Sequence, residues 1–176
     1  MQNAVIIAHN VGQIVLWSMT LWTLVENQNP TDLKTAQYWD PNSNFKNLLA
    51  IAQSSQIIDF IFAVLGVTKN KPASVLLQLS SRIYVTYFVF PFVTEGNPII
   101  SFTTLFWCIA EIIRFSYYSL QLLDLKESLI SNLVGHLRYN AYIVNYPCGI
   151  TGELISCYDT WLNLKDLEAS QRPWSI

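Results

Sequence analysis

The chain has 176 residues, of which 52% are hydrophobic and only 12% charged, with a formal net charge of −2. Soluble domains carry roughly 25% charged residues, and here the apolar residues fall in long blocks nearly empty of charge. This excludes a disordered chain, a disulfide-rich secreted module and a nucleic-acid binder with a basic face. It predicts an all-α polytopic transmembrane bundle of about five spans, forming one domain over residues 1–176.

The first block, Ala4 to Val25, contains no Asp, Glu, Lys or Arg. As a helix it reaches across the roughly 30 Å hydrocarbon layer. A cleaved signal peptide would want a basic residue ahead of the block and a small-residue cleavage site after it. Met1-Gln2-Asn3 offers no charge, and the block ends in Trp22-Thr23-Leu24-Val25. Glu26 to Lys46 is polar, contains Pro30 and Pro41, and reads as an exposed loop. Its Asn29-Pro30-Thr31 triplet is disqualified as a glycosylation acceptor by the proline.

The second block, Asn47 to Gly66, carries one charge, Asp59, and is followed by a short basic turn with Lys69 and Lys71. The third, Ala73 to Val93, carries Arg82 and leads into a turn from Thr94 to Pro98. From Ile83 to Val93 it has no polar face, which argues against a water-soluble amphipathic bundle. The fourth, Ile99 to Leu123, carries Glu111 and Arg114 and precedes a charged turn from Asp124 to Glu127. The fifth runs from near Leu129 to about Trp161 and is interrupted by Pro147, Gly149 and Gly152, which predicts a kink near Pro147. Asn163 to Ile176 is polar and adds no further span. Lys69, Lys71 and Lys126 fall on one side and Lys34, Lys46, Lys165 and Arg172 on the other, a bias too small to set orientation.

Charges at bilayer depth are costly and usually pair within the bundle. The predicted spans hold three acids and three bases: Asp59, Glu111 and Glu153 with Arg82, Arg114 and Arg138. Glu111 and Arg114 are three residues apart and pair on one helical face; the others need partners on other helices or a ligand. Asp159, at the end of its block, is expected to reach water. A network that only locks helices together is one reading of these charges, and a polar path through a small transporter is another. The transporter reading lacks an inverted repeat.

Cys108, Cys148 and Cys157 form no CxxC pair and are expected to pack as small core residues. His9 and His136 lie in different segments without further nitrogen or sulfur ligands, so neither a metal nor a cofactor is expected. There is no GxSxG, P-loop or GxGxxG motif. A phosphatase-like role for Cys148 fails because Gly149 to Cys157 contains no arginine.

Tyr146 and Glu153 are seven residues apart, nearly two helical turns, on one face and roughly 10 Å apart along the axis. Gly149 and Gly152 between them leave room for a chain or a neighbouring helix. A phenol and a carboxyl in an apolar site can act as an acid–base pair, with Arg138 or Arg82 adjusting their proton affinity. On spacing alone the plainer reading is favoured: an interfacial tyrosine and a paired or snorkelling glutamate.

The segment Tyr146-Pro147-Cys148-Gly149-Ile150-Thr151-Gly152-Glu153, following Leu137-Arg138-Tyr139-Asn140, resembles the signature of the very-long-chain (3R)-3-hydroxyacyl-CoA dehydratases, the protein tyrosine phosphatase-like A family. Glu111-Ile112-Ile113-Arg114-Phe115-Ser116-Tyr117-Tyr118 is similar to the family's Glu-Ile-x-Arg-Tyr-Ser-Phe-Tyr. Gln78-Leu79-Ser80-Ser81-Arg82 resembles its Gln-x-x-x-Arg, and Asp59 to Gly66 a segment that usually begins with Glu. Asn10 and Trp17 of the first span fit loosely.

The resemblance implies a multi-pass protein of the endoplasmic reticulum membrane. Such a protein converts 3-hydroxyacyl-CoA to trans-2-enoyl-CoA, the third step of the fatty-acid elongation cycle. It implies Tyr146 and Glu153 as the catalytic pair, with Asp59, Gln78, Arg82, Arg138 and Gly149 in support. The implied partners are the long-chain 3-hydroxyacyl-CoA, membrane lipid, and the elongase and reductases of the cycle; no nucleic acid is implied. Dehydration needs only a base for the α proton and an acid for the departing hydroxyl. Glu153 as base and Tyr146 as acid is one assignment and the reverse is the other. The family usually has a sixth span and a Lys-rich tail, so a C-terminally shortened member is expected here. The alternative is a truncated, non-catalytic membrane subunit that binds the elongation-cycle enzymes.

Overall fold

The computed structural model describes residues 2–27, 44–94, 97–123 and 128–171. Positions 28–43 of the expected loop (with Asn29-Pro30-Thr31 and Lys34), Glu95 and Gly96 of the third turn, the turn from Asp124 to Glu127, and 172–176 lie outside the described residues.

The first block is helix α1, Gln2–Asn27. Its buried stripe is Ile6, Asn10, Gln13, Trp17, Thr20 and Leu24, spaced alternately four and three apart as one helical face requires. Three of the six are polar, whereas the opposite face exposes Val5, Val11, Val15, Met19 and Trp22. That is the reverse of a soluble helix, and it suits a helix whose outer surface meets hydrocarbon.

The second block forms α2, Asn44–Ser55, and α3, Ile57–Val64. They meet at Gln56, where the ladder tightens: Gln56 N–H donates to Gln53 O at 3.2 Å and Asp59 N–H to Gln56 O at 2.9 Å. Gly66 ends α3 with φ +67°, while Val67 N–H returns to Phe62 O and Gly66 N–H to Ala63 O. This paired cap needs a left-handed residue, which glycine supplies without steric cost. Pro72 then opens α4, Pro72–Tyr84, at the first helical position, where its missing N–H costs nothing.

The third block does not stay α-helical to its end. Val85–Val89 is a π turn and Phe90–Phe92 a 3₁₀ turn. The span ends at Phe92, so carbonyls of its last turn have no partner within the helix. The last helix supplies them: Thr160 donates its hydroxyl to Val89 O at 3.0 Å and Asn163 its amide to Phe92 O at 2.9 Å. Asp159, at the solvent-exposed end of its block, accepts from Thr94 N–H at 2.7 Å and Thr94 Oγ1 at 3.1 Å.

Helix α5, Ile99–Leu122, is the centre of the bundle and packs most extensively on α1 and on α6, Leu129–Gln171. Ser128 Oγ caps the start of α6 by accepting from Ser131 N–H at 3.1 Å. At 43 residues α6 is roughly 64 Å long, about twice a bilayer's hydrocarbon thickness, and it remains helical through Pro147 and past the expected end at Trp161.

Four helical stretches are long and apolar enough to cross a membrane: Asn3–Glu26, Asn44–Val64, Pro72–Phe92 and Ile99–Leu122. Helix α6 is too polar to qualify by composition. It nevertheless lies antiparallel along the whole of α5, from the Gln121–Ser131 contact at one end to Thr103–Gly152 and Thr94–Asp159 at the other. The place of the fifth block in the bundle therefore follows from packing rather than hydropathy. Among the described residues there is no strand. The protein is an all-α, multi-pass membrane bundle, as its composition predicts.

The expected charge pairs form one cluster. Arg82 donates to Glu111, the other Glu111 oxygen lies 2.7 Å from Arg114, and Arg114 reaches Asp59 at 3.3 Å. His9 closes the chain 3.0 Å from Asp59. Helices α1, α3, α4 and α5 are thereby tied together by ionic side chains in a medium that penalises any of them left alone. Replacing Arg82 by Met leaves Glu111 short of one partner, and a loss of about 3 kcal/mol is expected. Replacing Arg82 by Met together with Glu111 by Leu is expected to cost less than the sum of the single changes; thermal melts in mild detergent measure this.

Candidate active site

The α5–α6 seam is built from small residues on α6. Gly135, Gly149 and Gly152 face Tyr117, Trp107 and Thr103 of α5 respectively. At Gly152 a Cβ would lie 2.3 Å from Thr103 Oγ1 and 3.3 Å from its Cα, so the two helices approach to a separation that only glycine permits. At Gly149 the nearest atom to a Cβ is Trp107 Cδ1 at 3.9 Å, an ordinary contact.

Glu153 follows directly after this close approach. Its side chain is half-buried and accepts a 3.0 Å hydrogen bond from Trp107 Nε1. Trp107 is itself buried, with Phe90 stacked at 5.7 Å and the Arg82 guanidinium 5.4 Å from its ring centre. A continuous line of contacts thus runs from His9 through Asp59, Arg114, Glu111, Arg82 and Trp107 to Glu153. Five helices contribute to it.

Tyr146 lies one turn before Gly149 on the same unbroken helix, so the seven-residue spacing to Glu153 is helical throughout. Its surroundings differ from those of Glu153. The ring is 55% exposed and stacks on Tyr142 at 5.1 Å, on the face of α6 that also exposes Ile143, Ile150 and Leu154. The single face expected from the seven-residue spacing is therefore not shared: Glu153 turns toward α5, where Trp107 holds it, and Tyr146 toward the outer apolar surface.

Of the supporting residues, Asp59, Gln78 and Arg82 gather around Glu111, with the Gln78 amide 3.4 Å from Oε1. Gly149 lies under the Trp107 edge. Arg138 does not join them. It lies 15 residues before Glu153, roughly 22 Å along the helix, where its guanidinium covers Tyr117 and Tyr118 and donates to Tyr118 Oη at 3.2 Å. Of the two arginines expected to act on the pair, the structure brings Arg82 toward Glu153. Cys108 is buried, Cys148 and Cys157 are half-buried, and all three are free thiols.

The family sequence model described as "Protein tyrosine phosphatase-like protein, PTPLA" matches residues 53–174, more than half of the chain. The chain belongs to the PTPLA family. It is similar to a Schizosaccharomyces pombe protein named "Probable very-long-chain (3R)-3-hydroxyacyl-CoA dehydratase", 30% identical over 73% of this chain and 59% of the relative. It is also similar to the Caenorhabditis elegans very-long-chain (3R)-3-hydroxyacyl-CoA dehydratase hpo-8, at 27% over 87% of this chain and 68% of the relative. The Arabidopsis thaliana dehydratase PASTICCINO 2 is 26% identical, over 86% of this chain and 66% of its own length. The chain thus spans about three-fifths to two-thirds of these relatives. No solved structure is significantly similar.

Two residues of this PTPLA site escape a reading of the sequence. Trp107 is one aromatic among many in an apolar block, and its hydrogen bond to Glu153 spans 46 positions. His9 pairs with Asp59 across 50 positions. A faint signal for His9 exists, since it adjoins the polar stripe of Asn10 and Gln13 in a span that otherwise has little reason to carry polar groups.

The glycines provide a direct test of the seam. Gly152→Ala is expected to force α5 and α6 apart, lowering the detergent melting temperature by several degrees and reducing any activity of the site. Gly149→Ala, meeting only an ordinary contact, is expected to change the melt much less.

Proposed function

We propose that this PTPLA member is a very-long-chain (3R)-3-hydroxyacyl-CoA dehydratase, a hydro-lyase, acting in the endoplasmic reticulum membrane on the third step of fatty-acid elongation. The observation that carries the reading is the placement of Glu153: a carboxylate beside the glycine-enforced contact of α6 with α5, held by Trp107, two turns from a phenol on an accessible apolar face. The relatives' shared name supplies the substrate class.

In this reading the acyl tail lies along the apolar outer face of α6 and the CoA head stays in water. Glu153 removes the proton from the carbon α to the thioester. Tyr146 donates its phenolic proton to the departing 3-hydroxyl. The C–H and C–O bonds break, the C2–C3 double bond forms, and water leaves. A proton passing from Glu153 back to the Tyr146 phenolate restores both groups. The Tyr146 ring, stacked on Tyr142 and largely exposed, has room to turn toward the substrate hydroxyl. No electron is transferred, so this chemistry calls for no redox cofactor. Asp59, Gln78 and Arg82 support the site through the ion cluster, and Gly149 by admitting Trp107. The elongase and reductases of the cycle are the proposed partners in the same membrane, and residues 1–176 act as one domain.

Membranes containing the full chain are expected to convert a long-chain 3-hydroxyacyl-CoA to the trans-2-enoyl product, followed by chromatography of the acyl-CoA pool. Tyr146→Phe and Glu153→Gln are each expected to lower turnover by about 10²-fold or more. Undiminished turnover in both variants defeats the assigned roles.

A further inference from the structure

Glu153 differs from the other buried acids of the bundle. Asp59 and Glu111 face arginines directly, whereas among the described residues Glu153 has no ion-pair partner and one hydrogen-bond donor, the Trp107 indole. That indole has little freedom. It is 2% exposed, with Phe90 stacked on the ring, Arg82 5.4 Å from its centre, and its Cδ1 edge over Gly149. A donor fixed by stacking and cation–π contact holds its acceptor in one orientation. The bond is to Oε1 at 3.0 Å, and among the described residues no donor reaches Oε2.

We propose that Trp107 is a positioning residue for Glu153: its indole N–H anchors Oε1 and leaves Oε2 free to meet the substrate. Through its contact with Arg82, Trp107 also joins the reacting carboxylate to the ion cluster of α1, α3, α4 and α5. This inference rests on the dehydratase reading of Glu153. The contribution is orientational. Gly149, Gly152 and Ser156 beside the carboxylate are small, so without the indole it has several rotamers available. A misplacement of about 1 Å at the reacting atom costs up to roughly 10²-fold in rate. The loss should appear in kcat rather than KM, because Trp107 touches Glu153 and not the acyl chain.

The test compares Trp107→Phe, Phe90→Leu and Glu153→Gln with the unaltered full chain in proteoliposomes, measuring kcat, KM and the thermal melt of each. Trp107→Phe keeps a ring in the stack but removes the N–H. Phe90→Leu loosens the same packing but leaves the N–H in place. The expected result is a 10- to 100-fold fall in kcat for Trp107→Phe, with KM changed less than about threefold, and a fall below about threefold for Phe90→Leu despite a similar change in melt.

A Trp107→Phe protein with near-normal kcat beside an inactive Glu153→Gln overturns the role of Trp107 alone. Equal losses in Trp107→Phe and Phe90→Leu overturn it as well, since packing then accounts for both. Retained activity in Glu153→Gln, or none in the unaltered chain, overturns the dehydratase reading and this inference with it. A readout independent of turnover, and of how well Trp107→Phe folds, uses 15N-tryptophan-labelled protein in micelles. Of the six tryptophans, one indole N–H resonance is expected to move upfield in Glu153→Ala while the rest stay in place; an unchanged set of resonances overturns the proposal.

Discussion

The bundle depends on the pairing of Glu111. It is 1% exposed and sits in the middle of the central helix, receives Arg82 from α4 and Arg114 from its own helix, and is approached by Gln78. An unpaired carboxylate at that depth would cost several kcal/mol, so α4 has little freedom to turn about its axis or slide along α5. Arg114 passes the constraint on to Asp59 of α3, and His9 passes it to α1. In a bilayer the hydrophobic effect scarcely distinguishes one helix arrangement from another, because lipid is as apolar as the side chains. Ionic and polar contacts then select the register.

The second constraint is steric and concerns α6, which carries too many polar residues to be placed by hydropathy. Its seam with α5 closes at Gly152 against Thr103, and its later turns are held where Thr160, Asn163 and Asp159 satisfy backbone groups near the end of the third span. Those groups need partners because the third span ends there. The end of one span and the Thr160, Asn163 and Asp159 side chains of another are thus complementary parts of one contact. Glu153 lies between these two attachments, where the helix is held most firmly. Tyr146, a turn before the glycines, lies where α6 presents an open face.

Much of this was legible in the residues. The blocks nearly empty of charge and the Glu111–Arg114 pair follow from local rules that operate within a few positions. The Tyr146–Glu153 spacing is helical throughout, but the shared face it led one to expect is absent, because Glu153 is drawn to Trp107 of α5 while Tyr146 stacks on Tyr142 at the outer surface. Arg138 stands in the same motif, but the helix carries it far from Glu153 along its axis and sets it against Tyr117 and Tyr118. The contact of Asp159 with Thr94 was not legible, because the two are 65 positions apart.

The sequence by itself determined that the chain is helical and membrane-embedded, how many charges must be neutralised inside it, and which motif of α6 bears the candidate acid and base. Composition, period and capping are properties of neighbouring residues, and each acts over a turn or two. Only the tertiary structure decided which charge meets which, that His9 closes the cluster, and that Trp107 stands between Arg82 and Glu153. Those choices depend on how far each helix is rotated and shifted against the others. Helix period carries no record of that, since a rotation about the axis leaves every local rule satisfied while changing every partner.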